Sequence, residues 1–97
     1  MRTVWVSMGL LKLLTIFNKT AAYLFHLIQN HPFVDGNKRT ASMVAMIFFA
    51  SNFHGEFFIH ENDYQTLILG VAQGVISKKE IARFFRANSK PYKRKKS

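Results

Sequence analysis

Apolar residues recur along this chain with the spacing of helices. Ala21, Leu24, Phe25 and Ile28 fall at i, i+3, i+4 and i+7, which is one face of an α-helix. The spacing predicts a helix over 20–30, with Thr20 as its N-cap. Pro32 disfavours helix at His31, so that helix should end near Asn30. Upstream, 9–17 can be helical, and Val4, Trp5 and Val6 give 1–8 a β-leaning start. Asp35-Gly36 marks a turn. From about Asn37 to Phe53, Val44, Met46, Ile47, Phe48, Phe49 and Ala50 make a helix apolar nearly all round, of the kind that belongs inside a domain. Gly55, just past its end, suits a left-handed cap. Residues 56–60 read as an extended link. Asn62 can cap a third helix, in which Tyr64, Leu67, Ile68 and Val71 repeat the helical spacing and which Gly74 ends. Ser77 and Glu80 form a capping box for a fourth, with Ile81, Phe84 and Phe85 facing inward. The expected fold is all-α, a small bundle of about four or five helices around the central apolar one, with almost no sheet.

Composition narrows this further. Ninety-seven residues make one domain. A chain of that size buries roughly 60–65% of its unfolded surface, so its core is thin. The 48% apolar content excludes a disordered chain. The absence of cysteine excludes a disulfide scaffold and thiolate metal sites. Lys12 interrupts the apolar run of 3–17, no small-x-small cleavage site follows, and no stretch reaches the length of a membrane span. The expected location is the cytoplasm. The net charge is +9, from 14 Lys+Arg and 5 Asp+Glu. Lys90, Lys93, Arg94, Lys95 and Lys96 crowd 89–97, so this segment reads as a basic, disordered tail. Such a tail is either a solvated end or an arm for nucleic acid or an acidic partner.

The segment from His31 to Thr40 concentrates polar and titratable groups between two apolar helices. His31 titrates near neutrality and can take a proton from a hydroxyl. Asp35 is a hard-oxygen ligand suited to Mg²⁺. Gly36 permits a tight turn or close backbone approach to a ligand. Asn37, Lys38 and Arg39 fall in the first turn of the next helix, where free N–H groups and the positive dipole end favour an anion. Two cations there oppose the dipole, a local conflict that a bound phosphate would relieve. Phe33, among polar neighbours, is an anchor. Base, metal carboxylate and phosphate clamp together read as phosphoryl or nucleotidyl transfer. The alternative is a capped loop, with Asp35 as helix cap and His31 bonded to backbone.

The same residues resemble the signature of the Fic/Doc family, or Fido fold: His-x-Phe-x-Asp/Glu-Gly/Ala-Asn-Gly/Lys-Arg. His31, Phe33, Asp35, Gly36, Asn37, Lys38 and Arg39 match every fixed position. The resemblance extends over 18–88 and is closest to death-on-curing (Doc) toxins of toxin–antitoxin systems. Adenylyl-transferring Fic proteins carry Gly at the Lys38 position and a second Arg at the Ser42 position. The resemblance therefore implies a Doc-like kinase that transfers the γ-phosphate of ATP to a threonine of elongation factor Tu and stops translation. His31 would be the catalytic base, and Asp35 would bind Mg²⁺ or orient that base. Gly36, Asn37, Lys38 and Arg39 would hold the nucleotide phosphates, with Phe33 structural. It implies ATP as substrate, Mg²⁺ as cofactor, and a Phd-type antitoxin as partner.

The resemblance departs at 1–17, which reads as a divergent or truncated segment in place of a substrate-positioning flap. An AMP-transferring enzyme thus stays open. So does a catalytically silent remnant that binds an antitoxin or, through its tail, nucleic acid. Elsewhere, His26 reads as a satisfied helix histidine, and His54 and His60 carry no expected site. Phe48, Phe49, Phe53, Phe57 and Phe58 read as core packing rather than a stacking platform for nucleic acid.

Overall fold

The computed structural model describes residues 2–30 and 35–92, with side chains at 9–30 and 39–92. In chain order it has α1 (Arg2–Asn30), α2 (Asp35–Asn52), β1 (Gly55–Phe57), α3 (Glu61–Ala72), α4 (Lys78–Ala87) and β2 (Ser89–Pro91). The architecture is all-α apart from one antiparallel two-stranded sheet.

The first helix differs from expectation. In place of a β-leaning start and a new helix capped at Thr20, α1 runs unbroken from Arg2 to Asn30. The Thr20 hydroxyl donates to the Ile16 carbonyl at 2.8 Å, one turn back. A buried threonine satisfied in this way has no need to break the helix. Pro32 stops α1 where expected, at Asn30.

The core gathers on one stripe of α1. Phe17, Ala21, Leu24 and Ile28 are buried, facing Ala41, Ala45 and Phe49 of α2. Alanines on both helices permit close approach of the backbones. Phe49 is wholly buried, stacks on Phe53 at 4.7 Å and on Phe17 at 5.9 Å, and meets the tilted ring of Phe85 at 4.9 Å. The expectation that α2 is enclosed all round is corrected: Met43, Val44 and Ile47 are exposed. Helix α1 instead takes the central position, since α2, α3 and α4 all pack against it. The phenylalanine set also divides. Phe49 and Phe53 are core, Phe48 lies edge-on to Tyr23, and Phe57 and Phe58 are exposed.

Gly55 has no left-handed backbone, because among the described residues only Gly74 has positive φ, at 79°. Gly55 opens β1 and pairs with Pro91. A Cβ there would meet the Phe53 ring at 2.6 Å, the Pro91 Cα at 2.7 Å and the Lys90 carbonyl. Glycine is needed for close approach, not for a cap. Residues 89–91, assigned to the tail by composition, form β2, and Tyr92 N–H bonds the His54 carbonyl at 3.0 Å.

Helix α3 starts after His60, not at an Asn62 cap, and no side chain caps it. Glu61 and Asp63 in its first turn complement the dipole. Tyr64, Leu67, Ile68 and Val71 are buried as the spacing predicts, and Gly74 lies just past the C-cap. Helix α4 begins with the expected capping box of Ser77 and Glu80. Its Ile81 and Phe85 are fully buried, and Phe84 packs partly buried on Tyr64.

Candidate functional site

The motif begins at His31, just after α1, and continues into the start of α2. Asp35, Gly36, Asn37, Lys38 and Arg39 form the first turn of α2. The first four N–H groups of an α-helix have no intrahelical partner, and the dipole makes that end positive. The positive end of this 18-residue helix therefore falls at the residues expected to hold phosphates. His31 and Phe33 lie outside the described residues, as do the side chains of Asp35, Asn37 and Lys38. Arg39 is exposed.

Arg39 also lines an open groove of about 470 Å³ between α2 and α3. Met43, Met46, Ile59 and Tyr64 give it apolar walls, and Glu61 and Gln65 add polar groups at its edge. Such a mixture suits a flat organic group with a few polar atoms. The groove begins at Arg39 and continues along α2 to Met46.

Two braces hold this region. Tyr64 of α3 donates its buried hydroxyl to the Ser42 carbonyl at 2.6 Å. Ser42 in turn donates to the Arg39 carbonyl at 2.8 Å. The chain of bonds ties α3 to the second turn of α2, directly behind the motif. Burial pushes the Tyr64 phenol well above its usual pKa, so it stays a donor at neutral pH. On the other side, Gln29 donates to the Val71 carbonyl at 2.7 Å and ties the last turn of α1 to the end of α3. Both helix ends that lead into 31–34 are therefore anchored to the same third helix.

The sequence placed Tyr64 in the core through its spacing but gave no sign of its hydroxyl partner. Gln29 and Ser42 had no signal as braces, because a bond to a distant carbonyl depends on tertiary approach alone. His26, read as a satisfied histidine, is exposed and lies 3.4 Å from the Lys78 Nζ, bridging α1 to the start of α4. Among the described residues, no three His, Asp or Glu side chains cluster as a metal cage. No described helix is long and apolar enough to cross a membrane.

A family model described as the Fic/DOC family matches residues 2–49. The match covers all of α1 and most of α2, and so every motif position from His31 to Arg39. No curated protein and no solved structure matches the chain.

Proposed function

We propose, from the Fic/DOC match over 2–49, that this chain is a Fic/DOC-type transferase and within that family a Doc-like kinase. The observation that carries the reading is that the matched region contains every fixed motif position, five of them in the first turn of α2. A helix N-terminus with Lys38 and Arg39 in it fits a nucleotide triphosphate. Mg²⁺ takes one or two carboxylates plus substrate phosphates rather than a protein cage, so Asp35 alone suffices. When bound, the ion neutralises phosphate charge.

In this reading the hydroxyl of a protein threonine attacks the γ-phosphorus of ATP. His31 accepts the hydroxyl proton, the bond from the γ-phosphorus to the β–γ bridging oxygen breaks, and ADP leaves. Asn37, Lys38, Arg39 and the Gly36 N–H hold the phosphates, and Phe33 anchors the turn. Lys38 occupies space that a glycine would leave open, which favours presentation of the γ- rather than the α-phosphate. The target is elongation factor Tu, and a Phd-type antitoxin is the inhibitory partner. The reaction is cytoplasmic.

The test is intact-mass analysis of elongation factor Tu after incubation with the chain, Mg²⁺ and ATP, with His31→Ala as control. A phosphate-sized increment absent from the control supports the kinase. An AMP-sized increment overturns the Lys38 argument and leaves an AMP-transferring Fic enzyme. No increment from the folded chain supports a silent remnant.

A further inference from the structure

The β1–β2 ribbon presents a second surface, built without any motif residue. Glu56 pairs with Lys90 in its register. The pairing continues one step past each end, where the Tyr92 N–H bonds the His54 carbonyl at 3.0 Å and the Phe58 N–H bonds the Asn88 carbonyl at 2.7 Å. Successive side chains of a strand point to opposite faces. Gly55 and Phe57 take the inner face: a Cβ on Gly55 would meet the Phe53 ring, and Phe57 lies edge-on to Phe49 at 5.3 Å. Glu56, Phe58, Lys90 and Tyr92 are left on the outer face, and all four are exposed.

Phe58 and Tyr92 are 57% and 65% exposed, and neither ring meets another ring among the described residues. They stand at the two ends of the ribbon, about 13 Å apart along the strands, with the Glu56–Lys90 pair between them. The charge around them has one sign. Residues 89–97 hold five Lys and Arg and no Asp or Glu, and four of those cations fall in the five residues that follow Tyr92. Glu56 is the one acid on the outer face.

We infer that the outer face of this ribbon binds single-stranded nucleic acid, with the basic residues after Tyr92 supplying further phosphate contacts. Open aromatic rings accept bases by stacking, which any base can satisfy, while cations neutralise the phosphates that link them. Lys90 between Phe58 and Tyr92 fits that alternation of base and phosphate. Other occupants fit less well. An acidic protein segment would use the cations and leave both rings uncovered. A membrane surface would take a continuous apolar patch, whereas a charged pair separates these rings. A second copy would set like charge against like, each chain carrying +9. The inference goes beyond the transferase reading and does not depend on it, since it uses none of the residues from His31 to Arg39.

The test is fluorescence anisotropy of the full chain with a labelled 12-nucleotide oligothymidine. A dissociation constant of about 1–100 μM is expected at low salt. Log affinity should fall against log salt with a slope near about −3.5, as for five phosphate contacts on a single strand. The Phe58→Ala, Tyr92→Ala double variant keeps every charge and should bind about tenfold or more weakly with the slope unchanged. Removal of 93–97 should do the reverse and flatten the slope by about 3. Glu56→Gln should bind severalfold more tightly, and Phe58→Trp should keep the affinity. Circular dichroism of each variant establishes that it is folded. A 12-nucleotide abasic strand, which needs no variant, should bind the unaltered chain at least about tenfold more weakly. The proposal is overturned if the unaltered chain does not bind, or if the abasic strand or the folded double variant binds equally well, since charge alone then attracts the phosphates. It is also overturned if polyglutamate of the same charge or phosphatidylserine vesicles bind more tightly than the oligothymidine.

Discussion

Gly55 and Gly9 show how one residue type carries opposite weight. At Gly55 a methyl group would press on Pro91 and the Phe53 ring, where β1 meets β2. Gly55→Ala should therefore destabilise the fold by about 1–3 kcal/mol, as overpacking does, measured by urea unfolding. At Gly9, within α1, nothing lies within 4 Å of the same methyl. Gly9→Ala should raise stability by about 0.5–1 kcal/mol in the same assay, through helix propensity. Tyr64 adds a pH dependence. Burial raises its folded pKa above the unfolded one, so both states are protonated below about pH 10 and its contribution is intact there. Above that pH only the unfolded state releases the proton, and stability falls. Tyr64→Phe should be less stable at neutral pH by about 1 kcal/mol, from the lost bond to Ser42, yet show a shallower alkaline decline.

Among the elements, α4 depends most on its cap. Ser77 accepts from the Glu80 N–H, while the Glu80 carboxylate accepts from the Ser77 N–H and hydroxyl, which holds the Glu80 pKa below its ordinary value. A depressed carboxyl contributes stability above the unfolded pKa and loses it as pH falls through the folded one. Ser77→Ala should shorten α4, cost about 1 kcal/mol near pH 7, and flatten the acid limb below pH 4.5, read by circular dichroism. This box was fully legible in the sequence, as were the ends of α1 and α3, because each is set by residues a few positions apart. The reach of α1 was not. Local β-preference at Val4–Val6 and a capping residue at Thr20 argued for a break, and a hydroxyl bonded one turn back cancels the second argument. Nor was the exposure of Met43 and Ile47 legible, since hydropathy records that a residue is apolar and not whether a neighbour covers it. The motif itself was legible by order and spacing. Its braces from Tyr64 and Gln29 were not, because they join residues 22 and 42 positions apart.

At the scale of the whole molecule, α1 sets the shape. Twenty-nine residues of helix extend about 43 Å, close to the 50 Å long axis. Helix α4 lies along α1, from Lys78 beside His26 to Arg86 and the sheet near Leu10. Removal of 89–97 should therefore act as more than loss of a charged tail. It deletes β2, the partner of β1, and the Ser89 hydroxyl that bonds the Phe85 carbonyl at 2.7 Å. Thermal melting should show a lower midpoint for this truncation, whereas removal of 93–97 alone should leave it within about 2 °C, as expected for residues beyond the β1–β2 pairing.

The route of the chain also sets an order of assembly. Contacts between α1 and α2 join helices only four residues apart in sequence and can form as soon as both helices exist. The apolar stripe around Phe17 is completed only when Ile81 and Phe85 arrive. During synthesis the helical hairpin that carries the motif is thus finished first, while Leu14 and Phe17 stand open to solvent until α4 has left the ribosome. In that interval the nascent hairpin exposes apolar surface of the kind that aggregates. A ribosome stalled between residues 60 and 80 would release a fragment that has the motif residues but lacks the Ile81 and Phe85 side chains that complete the core around Phe17.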